Sequence, residues 1–379
     1  MKSNVKKSII ATFILIGVLV SWVTFAEALD VRLLWKKEFR HQINSSELAT
    51  ETGDILIRLS RREAILLDKN GNERFHWGPR IDRGVTSETV SKDGKYFAFS
   101  SGYTEDYAFR KGLEWSGDDR IHFYDRQTKK ELWNKRDSRV PLIFPDGLSL
   151  IAYEYTSGVF SIYDRQGKTI YDQKQETGRP SIMISPDSNY FVLIKNSMGP
   201  LVLYKRDGAK LWETGRHDHI ASISEGASYT STEPYSLGLS YTADSLNSQN
   251  GIVYDKNGSK ILEGLGVLSG NGERIAMIYP NKVSILTLPN KGLVKELALD
   301  MKEIFRSNDS SNVCFSYNGR YIFLKSGLSL WVHDLQEEAK KEIKIPGSND
   351  NPTFSITSDG KYLLINPEYP KEIYYYQVY

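Results

Sequence analysis

The feature that most constrains this chain is a repeat. SKDGKYFAF from Ser91, SPDSNYFVL from Ser185, SYNGRYIFL from Ser316 and TSDGKYLLI from Thr357 each read as a polar turn followed by an alternating strand. FPDGLSLIAY from Phe144 and SGNGERIAMI from Ser269 are further copies, with EGASYTST from Glu225 and ETGDILIRL from Glu51 as weaker ones. The Asx oxygen bonds the backbone that follows it, and Gly accepts positive φ, so this chemistry joins two antiparallel strands tightly.

A second signature follows each turn at a variable distance: ILLDKNG from Ile65, HFYDRQTKK from His122, SIYDRQGK from Ser161, VLYKRDGAK from Val202 and IVYDKNGSK from Ile252. An apolar strand ends, an Asx turn reverses it, and the next strand carries a large apolar residue, as at Trp77, Trp133, Ile170, Trp212 and Ile261. SILTLPNKG from Ser284 and LWVHDLQEE from Leu330 are degenerate copies. Taking Gly53, Gly94, Gly147, Asn189, Gly226, Gly272, Gly319 and Gly360 as equivalent, the spacing averages about 44 residues. That period fits a four-stranded propeller blade of ~40 to 45 residues. A β-sandwich also has short strands, but it does not require the same two turns in the same order eight times. The expectation is an all-β, single-domain β-propeller of eight four-stranded antiparallel blades, or seven if ETGD is no true turn.

RLLWKKEF, from Arg32, resembles ELWNKRD from Glu131 and KLWETGR from Lys210, which close their units. The last unit runs through EIYYYQVY to Tyr379 and has no fourth strand of its own. Residues 31–39 are therefore expected to complete it, closing the ring without a free edge.

The turns and strands together resemble bacterial WD40-like and quinoprotein-like (PQQ-type) β-propellers over nearly all of residues 31–379. The S-x-D-G turns are similar to WD40 repeats, and YDRQGKTIY and YKRDGAKLW to the quinoprotein repeat with its closing Trp. Such motifs imply structure rather than function. Quinoprotein dehydrogenases stack their cofactor on a disulfide of adjacent cysteines, and Cys314 is the only cysteine here. Sialidase boxes have a different spacing from SIYDRQGKTI, and the G-x-S-x-G turn of propeller peptidases is missing. The resemblance implies no cofactor.

At the N-terminus Lys2, Lys6 and Lys7 precede an apolar run from Ile9 to Phe25 and an Ala26-Glu27-Ala28 ending, the pattern of a secretory signal cleaved after Ala28. An uncleaved membrane anchor is the alternative. No cysteine stands at the cleavage point to carry a lipid. Domain organisation is thus read as a signal peptide over 1–28 and a propeller over 29–379, periplasmic or secreted, monomeric and without stable membrane insertion once cleaved.

The leader holds three Lys and one Glu of the chain's 49 basic and 47 acidic residues, so the remainder is neutral. A neutral chain without a basic block offers no electrostatic footprint for nucleic acid. Composition otherwise bears on fold: 23 Tyr, 7 Trp and 29 Gly favour twisted sheets and tight turns. Without paired cysteines, an exported fold here relies on packing alone.

His217 and His219 form the one histidine cluster, a weak pair of metal-ligand candidates at i and i+2 on an extended segment. The glycines Gly264, Gly266 and Gly270 lie between strands rather than opening a helix, so they make no phosphate loop. Cys314 in NVCFS reads as a small buried hydrophobe.

Loop lengths are more informative. Connections from first to second strand are uniformly tight, whereas the long segments at residues 78–88, 101–119, 232–250 and 302–312 all belong to the opposite face. Residues 101–119 combine Tyr103, Tyr107, Phe109, Arg110 and Trp115, and the 232–250 segment adds Tyr235 and Tyr241. These types are enriched at interface hot spots, though aromatics also pack beneath compact loops. Two functions follow: a non-catalytic scaffold binding a protein or extended ligand through that face, or an exported lyase, lactonase or hydrolase working at the channel. The innermost strands, read as ETVS, PLIF, SIMIS, ASIS, GVLS, NVCFS and TFSI, lack a recurring acid, His or Arg and favour binding.

Overall fold

The fold was analysed in a computed structural model that describes residues 29–60, 63–78, 83–103, 111, 119–154, 159–173, 181–194, 199–216, 219–233, 251–279, 282–298, 312–346, 352–367 and 371–379. Among the described residues, thirty-two strands form eight four-stranded antiparallel sheets. Strand β1 (Val31–Glu38) precedes blade 1, which is β2 (Ile43–Leu48), β3 (Ile55–Leu59), β4 (Ala64–Leu67) and β5 (Glu73–Trp77). Blade 2 is β6 (Arg83–Val90), β7 (Tyr96–Tyr103), β8 (Arg120–Asp125) and β9 (Lys130–Arg136). Blade 3 is β10 (Val140–Ile143), β11 (Ser149–Tyr153), β12 (Phe160–Asp164) and β13 (Thr169–Gln173). Blade 4 is β14 (Ser181–Ile184), β15 (Tyr190–Ile194), β16 (Pro200–Lys205) and β17 (Lys210–Arg216). Blade 5 is β18 (His219–Ile223), β19 (Tyr229–Glu233), β20 (Ile252–Asp255) and β21 (Lys260–Glu263). Blade 6 is β22 (Gly266–Leu268), β23 (Arg274–Tyr279), β24 (Lys282–Thr287) and β25 (Leu293–Ala298). Blade 7 is β26 (Val313–Phe315), β27 (Tyr321–Ser326), β28 (Ser329–Asp334) and β29 (Lys340–Lys344). Blade 8 is β30 (Thr353–Ile356), β31 (Tyr362–Asn366) and β32 (Glu372–Val378), with β1 as its outermost strand.

The expected closure holds: β1 pairs with β32 from Val31↔Val378 to Glu38↔Glu372. Gly53 has φ 76° between β2 and β3, so ETGD is a true turn and there are eight blades. One assignment shifts. Ser188 (φ 65°), not Asn189, takes the left-handed position, because SPDSN matches SKDGK residue for residue.

What joins one blade to the next is repeated. In β1, β9, β13 and β17 a register shift bulges out one aliphatic residue, Leu34, Leu132, Ile170 or Leu211, and all four are exposed. The extra residue re-aims its neighbour. Trp35, Trp133, Tyr171 and Trp212 thereby lie against Gly71, Gly167, Gly208 and Gly258, each in the last turn of the following blade. The indole N–H groups of Trp35, Trp133 and Trp212 donate to the carbonyls of Lys69, Arg165 and Lys256 at 2.9, 3.1 and 2.7 Å. A Cβ at Gly167 would stand 2.9 Å from the Trp133 ring and at Gly208 2.3 Å from the Tyr171 ring. Glycine is therefore required beneath the ring. This corrects the alignment of Ile170 with Trp133: Ile170 is the bulged residue, and Tyr171 is the one that docks.

The turn signatures add a second set of joints. Ser91 Oγ accepts the Tyr96 N–H at 3.0 Å and donates to Asp93 at 2.7 Å, and Ser185 and Thr357 repeat the arrangement. The residues after these Ser or Thr positions link neighbouring turns through backbone bonds: Ser358 N to Thr50 O, Glu51 N to Lys92 O, Lys92 N to Pro145 O, Glu225 N to Gly270 O, Asn271 N to Tyr317 O and Tyr317 N to Ser358 O, all 2.7–2.9 Å. Pro145 and Pro186 have no N–H to give. There Asp146 N donates to Ser188 Oγ at 2.9 Å, and the Asp187 carboxylate accepts from Gly226 N–H. All eight seams are thus tied on this face, hereafter the turn face.

The apolar core lies in the seams, as with Phe144, Phe160, Phe191 and Tyr204 between blades 3 and 4. Arginines after the Asx turns reach back to the preceding blade. Arg126 pairs with buried Asp54 at 2.8 Å, and Arg165 donates to Tyr96 Oη at 3.0 Å. Replacing Trp133 by Ala is expected to cost about 3 kcal/mol in equilibrium unfolding. Replacing its exposed neighbour Leu132 should change stability by less than about 0.5 kcal/mol. Equal losses at the two positions would show that the bulge does not assign their roles.

Candidate functional site

The face opposite the turn face carries the second-to-third and blade-to-blade connections. The strand bounds place its longest ones between Tyr103 and Arg120, between Glu233 and Ile252, and between Ala298 and Val313. Of the expected anchors, Tyr107, Arg110, Trp115, Tyr235 and Tyr241 lie outside the described residues, as does His217. His219 opens β18 opposite Glu233, and its side chain also lies outside the described set. Tyr103 ends β7 at the foot of the 104–118 connection, opposite Arg83 of β6, whose guanidinium sits 5.1 Å from the ring centroid.

Titratable side chains gather below this face, around blades 1 to 3. At the channel edge of the seam between blades 1 and 2, Glu47 on β2 and Glu88 on β6 come from neighbouring innermost strands. Glu88 accepts from Arg58 Nε at 2.7 Å and from the Ser45 hydroxyl. Glu47 accepts from Thr89 Oγ1 at 3.3 Å and from the Val90 N–H. Burial pushes the Glu47 carboxyl up to about 8, and the charge of Glu88 adds to it. Thr89 Oγ1 in turn accepts from Ile143 N at 3.2 Å, so one chain of bonds spans blades 1, 2 and 3. The seven-strand reading of the channel omitted INSSEL. Once RLLWKKEF belongs to blade 8, the next strand, which holds Glu47, must be the innermost of blade 1.

Further out, Ser101 Oγ lies 2.8 Å from His122 Nε2, and His122 Nδ1 lies 2.6 Å from Glu131 Oε1. These are the spacings of a nucleophile, base and orienting carboxylate. The chemistry does not follow, because Ser101 is 0% exposed and no acyl carbon can reach its hydroxyl. Phe99 stacks on the imidazole at 5.0 Å, and burial lowers the His122 pKa. The three groups are a polar tie across β7, β8 and β9. In the next seam Arg139 holds Asp137 at 2.7 and 2.8 Å and reaches Tyr163 Oη at 2.8 Å. The hydrogen bonds of Arg139 keep the Asp137 carboxyl below its ordinary range against the effect of burial.

A fourth cluster sets Glu63 between His76, at 3.1 Å, and His41, at 3.9 Å. Among the described residues no group of three or more His, Cys, Asp or Glu side chains is arranged to hold a metal ion. Cys314, half-buried on innermost strand β26, has its thiol pushed up to about 12 by burial and stays protonated.

No protein-family model and no curated protein sequence matches the chain. Solved structures do resemble it. The C-terminal WD40 domain of Sif2 superposes with a TM-score of 0.62 at 13% identity, covering 92% of this chain and 98% of that one. The β-propeller domain of Cps50 (Swd1) from Myceliophteria thermophila gives 0.52 at 10% identity, covering 92% of this chain and 100% of the other. At such identities the likeness is one of fold: this chain is an eight-bladed β-propeller, the architecture those WD40 and β-propeller domains share.

Proposed function

We propose that this chain is an exported, monomeric, non-catalytic scaffold that binds a protein or an extended ligand through the face opposite its turn face. The observation that carries this reading is the asymmetry of the two faces. On one, eight short turns are tied to one another by backbone and side-chain hydrogen bonds, leaving little freedom to shape a site. On the other, the connections differ in length from blade to blade, and variable loops on a rigid scaffold are where recognition usually resides. The WD40-type fold supports the same reading without naming a partner. No cofactor is assigned, and the neutral chain beyond residue 28 has no footprint for nucleic acid.

Export is supported by the leader pattern of residues 1–28. Among the described residues no helix is long and apolar enough to cross a membrane. A second reading, an exported enzyme with its site at the channel, rests on Glu47 and Glu88. Two carboxylates whose environments separate them are how acid and base roles are divided.

A photo-crosslinker placed at position 115 should capture a partner in cells, whereas one at Lys95 on the turn face should not; adducts only from position 95 would reverse the assignment. Once the partner is identified, Trp115→Ala or Arg110→Ala should weaken binding by about 2 kcal/mol with unfolding unchanged. A loss of stability of ~3 to 5 kcal/mol on Trp115→Ala would instead make it a packing residue. The mature N-terminus should be Leu29 by Edman or mass-spectrometric sequencing. Full-length protein confined to the membrane fraction would make the leader an anchor.

A further inference from the structure

We propose that the channel edge of the seam between blades 1 and 2 is a proton-linked joint, closed while Glu47 carries a proton and loosened when that proton passes to channel water. The first ground is placement. The six other innermost strands, β10, β14, β18, β22, β26 and β30, have no carboxylate in their sequences, so this seam alone sets two against each other at the channel. The second is the supply of cations. Arg58 on β3 is the guanidinium within reach, and it is committed to Glu88 at 2.7 Å. Among the described residues, the other charged side chain on the elements packed around Glu47 is Arg83, at the far end of β6 against the Tyr103 ring; β30 presents Thr353, Phe354, Ser355 and Ile356, the facing part of β7 Phe97, Ala98 and Phe99, and β10 Val140 to Ile143.

The third ground is what Glu47 does there. Its hydrogen bonds run to Thr89 and Val90, both on β6, so its carboxyl is itself the link across the seam. With the proton present, a neutral acid accepts from these two donors. Without it these two donors hold the anion more strongly, but burial outweighs them, and a second negative charge lies beside Glu88 with Arg58 already committed to that partner. Like charges so placed disfavour ionisation, as does burial.

The sign follows from linkage. A carboxyl whose folded-state pKa is raised favours the folded seam fully below the ordinary glutamate range. That contribution is lost as pH rises through about 8. The joint is therefore tight in mildly acidic surroundings and loosens in mildly alkaline ones. Loosening passes through Thr89 to Ile143 of blade 3.

Hydrogen–deuterium exchange of the mature full-length protein tests this, with rates normalised to intrinsic chemical exchange between pH 6 and pH 9. Peptides spanning residues 43–48 and 85–90 should lose about tenfold or more of their protection across that range. Peptides spanning 219–223 and 266–268, at the seam of blades 5 and 6, should not. Glu47→Gln should remove the pH dependence. Glu88→Gln, which frees Arg58 and deletes the neighbouring charge, should move the midpoint down by about one pH unit. Parallel curves at the two seams, a pH dependence that survives Glu47→Gln, or a midpoint that Glu88→Gln leaves in place or raises would each overturn the proposal. The Glu88 arm decides the matter even if Glu47→Gln does not fold.

Discussion

Four of the eight seams, the ring-closing one among them, depend on one contact, an aromatic ring on the outermost strand of a blade lying against the last turn of the next. A propeller blade cannot bury both of its faces alone, so each seam must supply core packing and a fixed angle at once. A bulged strand does this with few residues. The extra residue turns one side chain out to solvent and the next one in, where the indole both covers a glycine and donates to a backbone carbonyl. Position and orientation are then set by the same side chain.

Closure is the demanding case. Seven seams join consecutive blades, but the eighth must bring the two ends of the chain together, at a cost in loop-closure entropy. The chain meets this by placing an outermost strand, β1, ahead of blade 1 and pairing it with β32. Trp35 on β1 stacks on Tyr375 at 5.0 Å and covers Gly71 of blade 1, so the strand that completes blade 8 also locks blade 8 to blade 1. Ser358 N and Thr50 O tie the same seam on the turn face. With the ring held on that face, length variation is confined to the other, and the separation of a structural face from a face of variable connections follows from the seam chemistry.

Much of the fold was legible because the turns are chemically explicit. Asx residues and glycines mark eight reversals, and the resemblance of RLLWKKEF to ELWNKRD carries the closure. The bulges were not legible. Ile170 and Trp133 follow their turns in similar sequence, and only the register shows that Ile170 points outward while Tyr171 docks. Ser188 was read one residue late for a related reason, since a left-handed serine carries no glycine to mark it. The carboxylate pair was missed because its members lie 41 positions apart on strands of different blades, and INSSEL has no turn signature of its own. The Ser101, His122 and Glu131 tie spans three strands in the same way. Residues brought together by seams have no local spacing to betray them.

The account is tested most directly by amide exchange along β1 under native conditions. If residues 31–38 close the ring, those of their amides that donate to β32 should exchange only on global unfolding, with protection equal to that of the paired amides of β31 and β32. Fraying of β1 at a free energy well below that of β32 would contradict it, leaving a ring closed by something other than its first strand.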